Sequence, residues 1–447
     1  MKINHSYVSI NGWGGYPKIL SKIYYPKNVD EIKEYIQKKN IIARGNGRSY
    51  GDSAINEQNT IDMRKFNKII SFNRDTGQLV LESGVILSEV IENYLPKGWF
   101  PFVTPGSKFV TIGGMIAADV HGKNHHINGS FKNYVDWIEI IDGNGEIKIC
   151  SRDQNQEIFE WSFGTMGLTG IIIKACIKLR PIETAWIKQK TVLAKNIDQA
   201  MEIFEKTLES TYSVAWIDCL VNTNKIGRSI IFIGEHAKIS DLNKKKQIKP
   251  LKIIKKKKIN LKFYFPNWFL NNFFIKLFNK FYFNYMKINL GQKLVYWDNF
   301  FYPLDNILGW NKIYGNRGFI QFQCVLPLER SKEGILEILA ELSKSKISPF
   351  LSVLKRFGDQ NSKFSFPLKG YTIALDFPKN DKTLELLDRL DEITLRHNGR
   401  FYLAKDSRIK KEIFKKSDSR LNKFLDIRTK ADSNKVFRSS QSNRLEI

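Results

Sequence analysis

A glycine-rich turn near the N-terminus constrains the fold of this chain more than any other feature. Residues 44–52 read RGNGRSYGD, so three glycines stand close together, with Arg44 and Arg48 beside them. Glycine lets the backbone turn tightly and approach a ligand closely, and successive N–H groups in such a turn form an anion-binding concavity. The stretch matches neither the G-x-G-x-x-G fingerprint nor the nucleoside-triphosphate loop. It indicates a phosphate-binding loop after a short strand at 41–43; an ordinary glycine-rich surface loop is the alternative.

Two further glycine-rich segments follow. Residues 111–126 read TIGGMIAADVHGKNHH, and the paired glycines before small residues suit a helix packed against a flat ligand. Three of the six histidines fall in this segment, but no carboxylate or cysteine stands at a ligand spacing. We therefore expect a loop that contacts substrate or cofactor, and no metal site. Residues 163–172, FGTMGLTGII, form the third glycine-rich turn and feed a strand that ends near Pro181.

The length and the pattern of elements predict two domains of the α+β class. The chain has 447 residues, more than one hydrophobic core usually serves. A helix is expected from Pro26 to about Lys39, with Ile32, Tyr35 and Ile36 on one face. The other expected elements are strands at 68–72 and 78–83, a helix at 87–95, a hairpin at 138–147, strands at 186–193, 212–220 and 228–233, a helix near 196–209, strands at 319–327 and 371–378, and a helix at 381–397.

Charge and cysteine usage limit the partners and the compartment. Lys and Arg total 71 against 45 Asp and Glu, a net charge of +26, which predicts an anionic partner: nucleic acid, a membrane surface or a phosphorylated substrate. The four scattered cysteines form no C-x-x-C pair, so neither a metal cluster nor a disulfide framework is expected. Because no apolar signal core or long apolar run appears, we expect a protein without signal peptide or transmembrane helix, cytoplasmic or peripheral on the inner membrane.

Residues 242–297 are unusual because they hold fourteen lysines and no Asp or Glu. The run Lys255–Lys258 precedes a stretch rich in Phe, Tyr and Trp. Basic residues beside aromatic ones suit the surface of an anionic membrane. A helical lid whose aromatic residues fill the domain core is a second interpretation, and a site for single-stranded nucleic acid is a third.

Four residues later in the chain carry polar groups of interest. Gln321 and Gln323 share one face of a predicted strand, where they could orient a sugar or simply face solvent on an edge strand. An isolated lysine such as Lys405 is, taken alone, most often a solvated charge. Asp376 lies near the end of the strand predicted at 371–378, where it either hydrogen-bonds within a site or caps the next helix.

These segments together resemble a known family. The three glycine-rich segments, in this order, resemble the FAD domain of the vanillyl-alcohol-oxidase (PCMH-type) flavoproteins. More closely, residues 44–52, 121–126 (HGKNHH) and 167–170 (GLTG) are similar to the FAD-dependent decaprenylphosphoryl-ribose 2′-oxidases. The pair of glutamines two residues apart, the run 353–358 (VLKRFG) and the ending 443–447 (NRLEI) continue the likeness over nearly the whole chain.

The resemblance implies a domain plan and a cofactor. Residues 1–183 would form a two-subdomain FAD-binding domain, 184–397 a substrate domain built on an antiparallel sheet with helices, and 398–447 a return to the FAD domain. The segment 242–297 would be an insert in the substrate domain. Because Arg48 stands near the position where several superfamily members carry a flavin-linked histidine, we expect non-covalent FAD. The implied FAD contacts are Arg44, Gly45, Asn46, Gly47, Arg48, Ser49, Tyr50, Gly51, Gly106, Thr111, Ile112, Gly113, Gly114, His121, Gly122, Lys123, Asn124, Ile172 and Tyr402.

The resemblance also implies a reaction. The expected activity is oxidation of the 2′-hydroxyl of a polyprenyl-phosphate-linked pentose to a keto sugar, the first half of a 2′-epimerisation in cell-envelope polysaccharide precursor synthesis. Lys405 would contact the reacting hydroxyl, as proton acceptor or as orienting donor, with His121 as the second catalytic candidate. The implied substrate contacts are Tyr50, Gln321, Gln323, Lys355 and Asp376.

Partners and rivals follow from the same likeness. An NAD(P)H-dependent short-chain reductase would take up the keto product, and the enzyme would contact the membrane peripherally. One rival function is a sugar-lactone or alditol oxidase of the same superfamily. Another is a non-catalytic, membrane-associated protein that keeps the flavin fold. Nucleic-acid binding is not expected.

Overall fold

The computed structural model describes residues 5–221, 225–254 and 257–447. It confirms the α+β class, with three principal sheets and helices packed on them. Lys255 and Lys256 of the predicted lysine run lie outside the described residues, as do residues 1–4.

The first sheet is small and carries the glycine-rich turn. Its strand order is β1-β2-β4-β3, with β1 antiparallel to β2 and the other pairs parallel. Helix α1 covers it: Asn28 accepts a hydrogen bond from the Glu31 N–H at the helix start, and the predicted face of Ile32, Tyr35 and Ile36 is buried. The bounds are β1 (His5–Asn11), β2 (Lys18–Tyr24), α1 (Val29–Ile36), β3 (Ile41–Arg44) and β4 (Asn59–Asp62).

The second sheet is antiparallel and lies beside the first. Its order is β5-β6-β10-β8-β9, and β7 pairs with the end of β10. The predicted hairpin turns at Asn144-Gly145, where Gly145 has a φ of +81°. The bounds are β5 (Ile69–Phe72), β6 (Gln78–Glu82), α2 (Leu87–Tyr94), β7 (Trp99–Pro101), α3 (Ile112–Ala117), α4 (His125–Asn128), β8 (Val135–Ile141), β9 (Ile147–Ser151), α5 (Gln156–Trp161) and β10 (Ile171–Pro181). The two sheets correspond to the two predicted subdomains.

The third sheet has eight strands in the order β15-β11-β13-β12-β18-β19-β17-β20, all antiparallel. Its first strands and helix are β11 (Trp186–Ala194), α6 (Ile197–Lys206), β12 (Tyr212–Ile217) and β13 (Ser229–His236). Its remaining strands and helices are β15 (Gly291–Tyr296), β17 (Phe319–Pro327), α10 (Leu328–Ser345), β18 (Leu351–Phe357), β19 (Gly370–Pro378), α11 (Asp381–Arg396) and β20 (Arg400–Phe401). Opposite Gln321 on the neighbouring strand lies Asp376, and opposite Gln323 lies Ala374.

The remaining elements lie around this sheet and at the C-terminus. They are α7 (Lys244–Gln247), β14 (Ile259–Asn260), α8 (Asn272–Ile288), α9 (Trp297–Phe301), β16 (Ile307–Leu308), α12 (Lys411–Ser417), α13 (Leu421–Ala431) and α14 (Ser440–Leu445). Among the helices of the described residues, none combines the length and the apolar composition needed to cross a bilayer.

Two strand assignments refine the expected segments. The sequence assigns residues 291–296 to the basic insert. In the structure they form β15 and pair with β11 at the edge of the eight-stranded sheet. The sequence assigns residues 400–401 to the C-terminal part of the FAD domain. In the structure they form β20 and pair with β17 of the eight-stranded sheet. Both pairings join residues distant in sequence, which local periodicity does not encode.

Candidate active site

A cavity of about 820 Å³ lies where the first two sheets meet the eight-stranded sheet. This volume is near the upper end for small-molecule sites. All three glycine-rich segments reach its wall, together with residues from β12, β17, β18 and the loop after β20. The structure therefore brings together most of the residues that the sequence singled out.

Residues 44–51 form one wall of the cavity, and their glycines are required by close approaches. Gly47 has a φ of +61°, and a Cβ there would lie 2.4 Å from Arg44 Nη2. A Cβ on Gly51 would lie 2.1 Å from the carbonyl oxygen of Asp406. The loop is also tied to that segment because the Tyr50 N–H donates to the Ala404 carbonyl at 2.9 Å. The turn therefore sets the position of the residues around Lys405.

Arg48 lies between two aromatic rings on the cavity wall. Its guanidinium is 4.3 Å from the centre of the Trp13 ring and 5.4 Å from that of Phe109. Burial lowers the pKa of Arg48, although the charge of Asp305 opposes this. Its buried Nε has no hydrogen-bond partner among the described residues. A half-buried cation with a buried, unpaired donor suits an anionic ligand.

The second glycine-rich segment lies directly beside the first. A Cβ on Gly45 would lie 2.1 Å from Thr111 Oγ1. Thr111 is the N-cap of α3 and accepts from the Gly114 N–H at 3.3 Å. Gly113 and Gly114 line the cavity at this point, while Met115 and Ile116 pack in the core. The predicted contact of a glycine-bearing helix with a ligand surface is therefore sterically possible here.

The residues of this wall fit a flavin dinucleotide. Backbone turns at 44–51 and 104–107 can receive a pyrophosphate, and a Cβ at Gly106 would have open space around it. Besides Arg48 Nε, the buried Ser83 Oγ on the wall lacks a protein partner within the described residues. Gly113, Gly114, Ile172 and Tyr402 supply a wall of low polarity for a flat ring.

Lys405 enters the cavity from the loop after β20. Its Nζ lies 3.7 Å from the centre of the Tyr50 ring, and its side chain is half-buried. Burial, with a smaller effect of the Lys355 charge, lowers the pKa of Lys405 to about 7, and the carboxylate of Asp376 opposes the shift. A sizeable part of the amine is therefore neutral near pH 7, as a proton acceptor requires.

His121 lies on the same wall in an aromatic enclosure. Its ring is 4.8 Å from that of Phe357, 5.6 Å from Phe366 and 5.1 Å from Tyr402. Burial lowers the pKa of His121 well below its usual value, and nearby lysines add to the effect. The Gln323 amide donates to His121 Nε2 at 3.3 Å. His121 is therefore a neutral imidazole at physiological pH, with its proton on Nδ1.

A hydrogen-bond network connects Gln321 of β17 and Asp376 of β19 with two tyrosines outside these strands. Gln321 Nε2 donates to the Tyr50 hydroxyl at 3.4 Å and to the Asp376 carboxylate. The Tyr314 hydroxyl donates to the other Asp376 oxygen at 3.3 Å. Burial raises the pKa of Asp376 to about 6, although its hydrogen bonds and the Lys405 charge oppose this. Gln321 is thereby held with one face toward the cavity.

Two more lysines increase the positive charge of the wall. Burial lowers the pKa of Lys123 to about 7, with a further effect of Lys355, and burial lowers the pKa of Lys355 to about 8. Lys123 donates to the Phe300 carbonyl, and its Nζ lies 4.6 Å from the centre of the Phe300 ring. Both shifts mark sites where an anion would stabilise the charged form.

Three predicted contact residues do not line the cavity. Ile112 points into the hydrophobic core. The Asn124 amide donates to the Phe102 carbonyl at 2.7 Å and to Asn128 Oδ1 at 2.8 Å, which directs it away from the wall. Asp376 lies behind Gln321 and acts on the cavity through it and through the charge of Lys405. The other predicted residues all contribute to the wall.

His125 and His126, which follow His121 in the same segment, make hydrogen bonds to other parts of the protein. His125 Nε2 pairs with Gln360 Oε1 at 2.8 Å, and His126 Nε2 donates to the Ser210 carbonyl at 2.7 Å. Within the described ranges, no cluster of three His, Cys, Asp or Glu side chains is arranged to hold a metal ion.

A buried ion cluster that the sequence did not predict connects the C-terminus to the glycine-rich turn. Arg444 binds Asp52 through Nη2 at 2.9 Å and Nε at 3.2 Å, and Nη2 also contacts Asp406 at 2.8 Å. Asp52 follows the turn directly, and Asp406 follows Lys405. The only signal for it was the family-like ending that contains Arg444, without any indication of its partners.

Comparisons with known proteins agree with this geometry. A family profile described as "FAD binding domain" matches residues 21–151. The decaprenylphosphoryl-β-D-ribose oxidase of Mycolicibacterium smegmatis is 34% identical over 98% of this chain and 97% of its own length. The L-gulonolactone oxidase of Mus musculus is 23% identical over 98% of each chain. The D-arabinono-1,4-lactone oxidase of Kluyveromyces lactis is 24% identical over 38% of this chain and 34% of its own. The chain therefore belongs to the decaprenylphosphoryl-β-D-ribose oxidase family of FAD-dependent oxidoreductases that act on CH–OH groups.

Proposed function

We propose that this enzyme oxidises the 2′-hydroxyl of a polyprenyl-phosphate-linked pentose to a keto sugar. The observation that carries the proposal is the position of Lys405, beside Tyr50 and on the same cavity wall as the glycine-rich turn. Bound FAD supplies the acceptor for the hydride that leaves the carbinol carbon. The protein supplies binding, orientation and the path of the hydroxyl proton.

In this proposal, Lys405 accepts the hydroxyl proton. A neutral amine is available near pH 7 because burial lowers its pKa. His121, neutral and hydrogen-bonded to Gln323, contacts the sugar or the cofactor as the second polar group. The amides of Gln321 and Gln323 orient the sugar hydroxyls, and the Tyr50 ring holds the Lys405 amine in place.

The phosphate of the substrate is held by positive charge. Lys355 and Lys123 line the same cavity, and both carry pKa values lowered by burial. A phosphate group would offset the desolvation cost of these cations because it stabilises their charged forms. A neutral lactone or free sugar would leave both charges without a counterion.

We further propose that FAD is held without a covalent bond. Of the described residues on the cavity wall, His121 is the one imidazole, and none is a cysteine. At the implied attachment region stands Arg48, whose guanidinium lies 4.3 Å from the centre of the Trp13 ring.

The keto product passes to an NAD(P)H-dependent short-chain reductase, which completes the inversion in cell-envelope precursor synthesis.

The test is anaerobic reduction of the purified flavoprotein. Polyprenyl-phospho-ribose should bleach the flavin absorbance, whereas free ribose, L-gulono-lactone and D-arabinono-lactone should leave it unchanged. Bleaching by the lactones, with none by the lipid-linked sugar, would support the rival lactone oxidase function. A protein purified without colour and indifferent to added FAD would support a non-catalytic role.

A further inference from the structure

Helix α8 presents an apolar stripe to solvent. Phe273, Leu277, Phe281 and Tyr285 recur every four residues and so lie on one face of the helix. Leu277 is 55% and Phe281 68% exposed. A contiguous exposed patch of this kind marks an interaction surface.

Buried contacts fix the rotation of α8, so this exposure is built into the fold. On the opposite face Asn279 donates to Asp218 at 2.8 Å, and Asp218 also binds Arg228 at 2.7 Å. The Tyr282 ring packs 5.2 Å from the Trp216 ring, and Met286 is buried with Trp216. Turning the stripe inward would break the hydrogen bond to a buried carboxylate, which is costly.

The charge around the stripe identifies the partner. Lys276, Lys280 and Lys287 of α8 are exposed, and no Asp or Glu occurs from 242 to 297. Aromatic and aliphatic side chains next to lysines match the interface of an anionic bilayer, where rings enter the acyl boundary and amines meet headgroups.

The cavity reaches the surface beside this helix. Phe278 and Leu308 belong to the cavity wall, yet they are 43% and 38% exposed. The cavity wall also includes the aromatic residues Trp216, Phe232, Tyr282, Trp310 and Phe350, and the rings of Tyr282 and Phe350 lie 5.8 and 5.6 Å from the ring of Phe278. A hydrocarbon chain that enters at Phe278 would therefore meet aromatic side chains of the same cavity that Lys405 lines.

We propose that α8 lies in the surface of an anionic membrane and that the polyprenyl tail of the substrate enters the cavity directly from the bilayer at Phe278 and Leu308. The entry route rests on the proposed function, whereas the membrane contact does not. This proposal combines two of the sequence interpretations, because α8 packs on the domain with one face and presents aromatic residues with the other.

The first experiment measures membrane contact alone. Purified holoenzyme is sedimented with vesicles of phosphatidylglycerol and phosphatidylcholine, and with phosphatidylcholine alone. The stripe variant Leu277→Ser/Phe281→Ser, whose positions do not line the cavity, should bind the anionic vesicles at least about tenfold more weakly. The control Tyr7→Ser/Leu20→Ser removes residues of similar exposure from the first sheet, 68% and 63%, and should bind like the wild type.

Charge is tested in the same assay. Lys276→Gln/Lys280→Gln/Lys287→Gln should weaken binding to anionic vesicles and leave the weak binding to neutral ones unchanged. Equal vesicle binding by the stripe variant and the wild type would overturn the membrane contact. So would salt-sensitive retention on single-stranded DNA without vesicle binding, which would assign the segment to nucleic acid.

The second experiment tests the entry route. Flavin bleaching is compared for a soluble short-chain prenyl-phospho-ribose and for a long-chain substrate in anionic vesicles. The stripe variant should oxidise the soluble substrate at the wild-type rate and the vesicle-borne one about tenfold more slowly. Equal rates with the vesicle-borne substrate would overturn the route. Failure of the wild type with both substrates would overturn the proposed function and the route, while vesicle binding would still test the contact.

Discussion

The pH dependence of flavin reduction reports on Lys405. If its neutral amine accepts the substrate proton, the limiting rate should rise with pH through about 7, the value to which burial lowers its pKa. The neutral fraction is then about 9% at pH 6 and about 91% at pH 8, so the rate should rise about tenfold between them. His121 does not titrate in this window, because burial lowers its pKa well below the usual value.

Variants of the two charged neighbours should move this pH profile in opposite directions. The Lys355 charge lowers the pKa of Lys405, so Lys355→Met should shift the rising limb to higher pH. The Asp376 carboxylate raises the pKa of Lys405, so Asp376→Asn should shift the rising limb of the pH profile to lower pH. Lys123 also has a pKa of about 7, and the control Lys123→Met should leave the limb in place.

The assay is anaerobic stopped-flow bleaching of the bound flavin at saturating substrate, from pH 5.5 to 9. Saturation separates weaker binding from a slower limiting rate. Lys405→Met should lower the limiting rate by about 10²–10⁴-fold, as loss of a general base does, while the spectrum of the oxidised flavin stays unchanged. A wild-type rate in Lys405→Met, or the same shift in both neighbour variants, would refute the role of Lys405.

Three other predictions concern the cofactor and the fold. Arg444→Met leaves the buried carboxylates of Asp52 and Asp406 without their cation and should cost about 3–5 kcal/mol of unfolding free energy; an unchanged thermal midpoint would contradict this. Gly51→Ala places a methyl group 2.1 Å from the Asp406 carbonyl and should reduce the stability of the FAD-free protein, whereas Gly106→Ala, which has open space, should not; calorimetry compares the two. Precipitation of the protein in acid should release all of the flavin into the supernatant, and yellow colour retained in the pellet would indicate a covalent bond.

The sequence predicted the local helices and strands and most residues of the cavity wall. It did not predict the long-range contacts that fix these elements relative to one another. Ile32, Tyr35 and Ile36 recur at helical spacing, and the structure buries them together. The hairpin at 138–147 follows from an Asn-Gly turn between two apolar runs. Such signals are encoded within a few residues, so the sequence alone reveals them.

Contacts between residues that are distant in sequence could not be predicted from the sequence, for a physical reason. Nothing near Arg444 indicates that it bridges Asp52 and Asp406, because the ion pairs form only after the chain has folded back on itself. The same holds for Asn279, whose hydrogen bond to Asp218 sets which face of α8 is exposed. Asn124 and Ile112 were expected at the cofactor from their motifs, but the hydrogen bonds of Asn124 to Phe102 and Asn128 and the core packing of Ile112 direct the two side chains away from the cavity wall.

The most direct measurement of the central proposal uses polyprenyl-phospho-ribose that carries deuterium at C2′. Because the hydride is proposed to leave from that carbon, anaerobic bleaching of the flavin should be slower with this substrate than with the unlabelled one, and deuterium at C1′ should have no such effect. The same rate for the C2′-deuterated and unlabelled substrates, with slowing only when another position carries the label, would contradict oxidation at the 2′-hydroxyl.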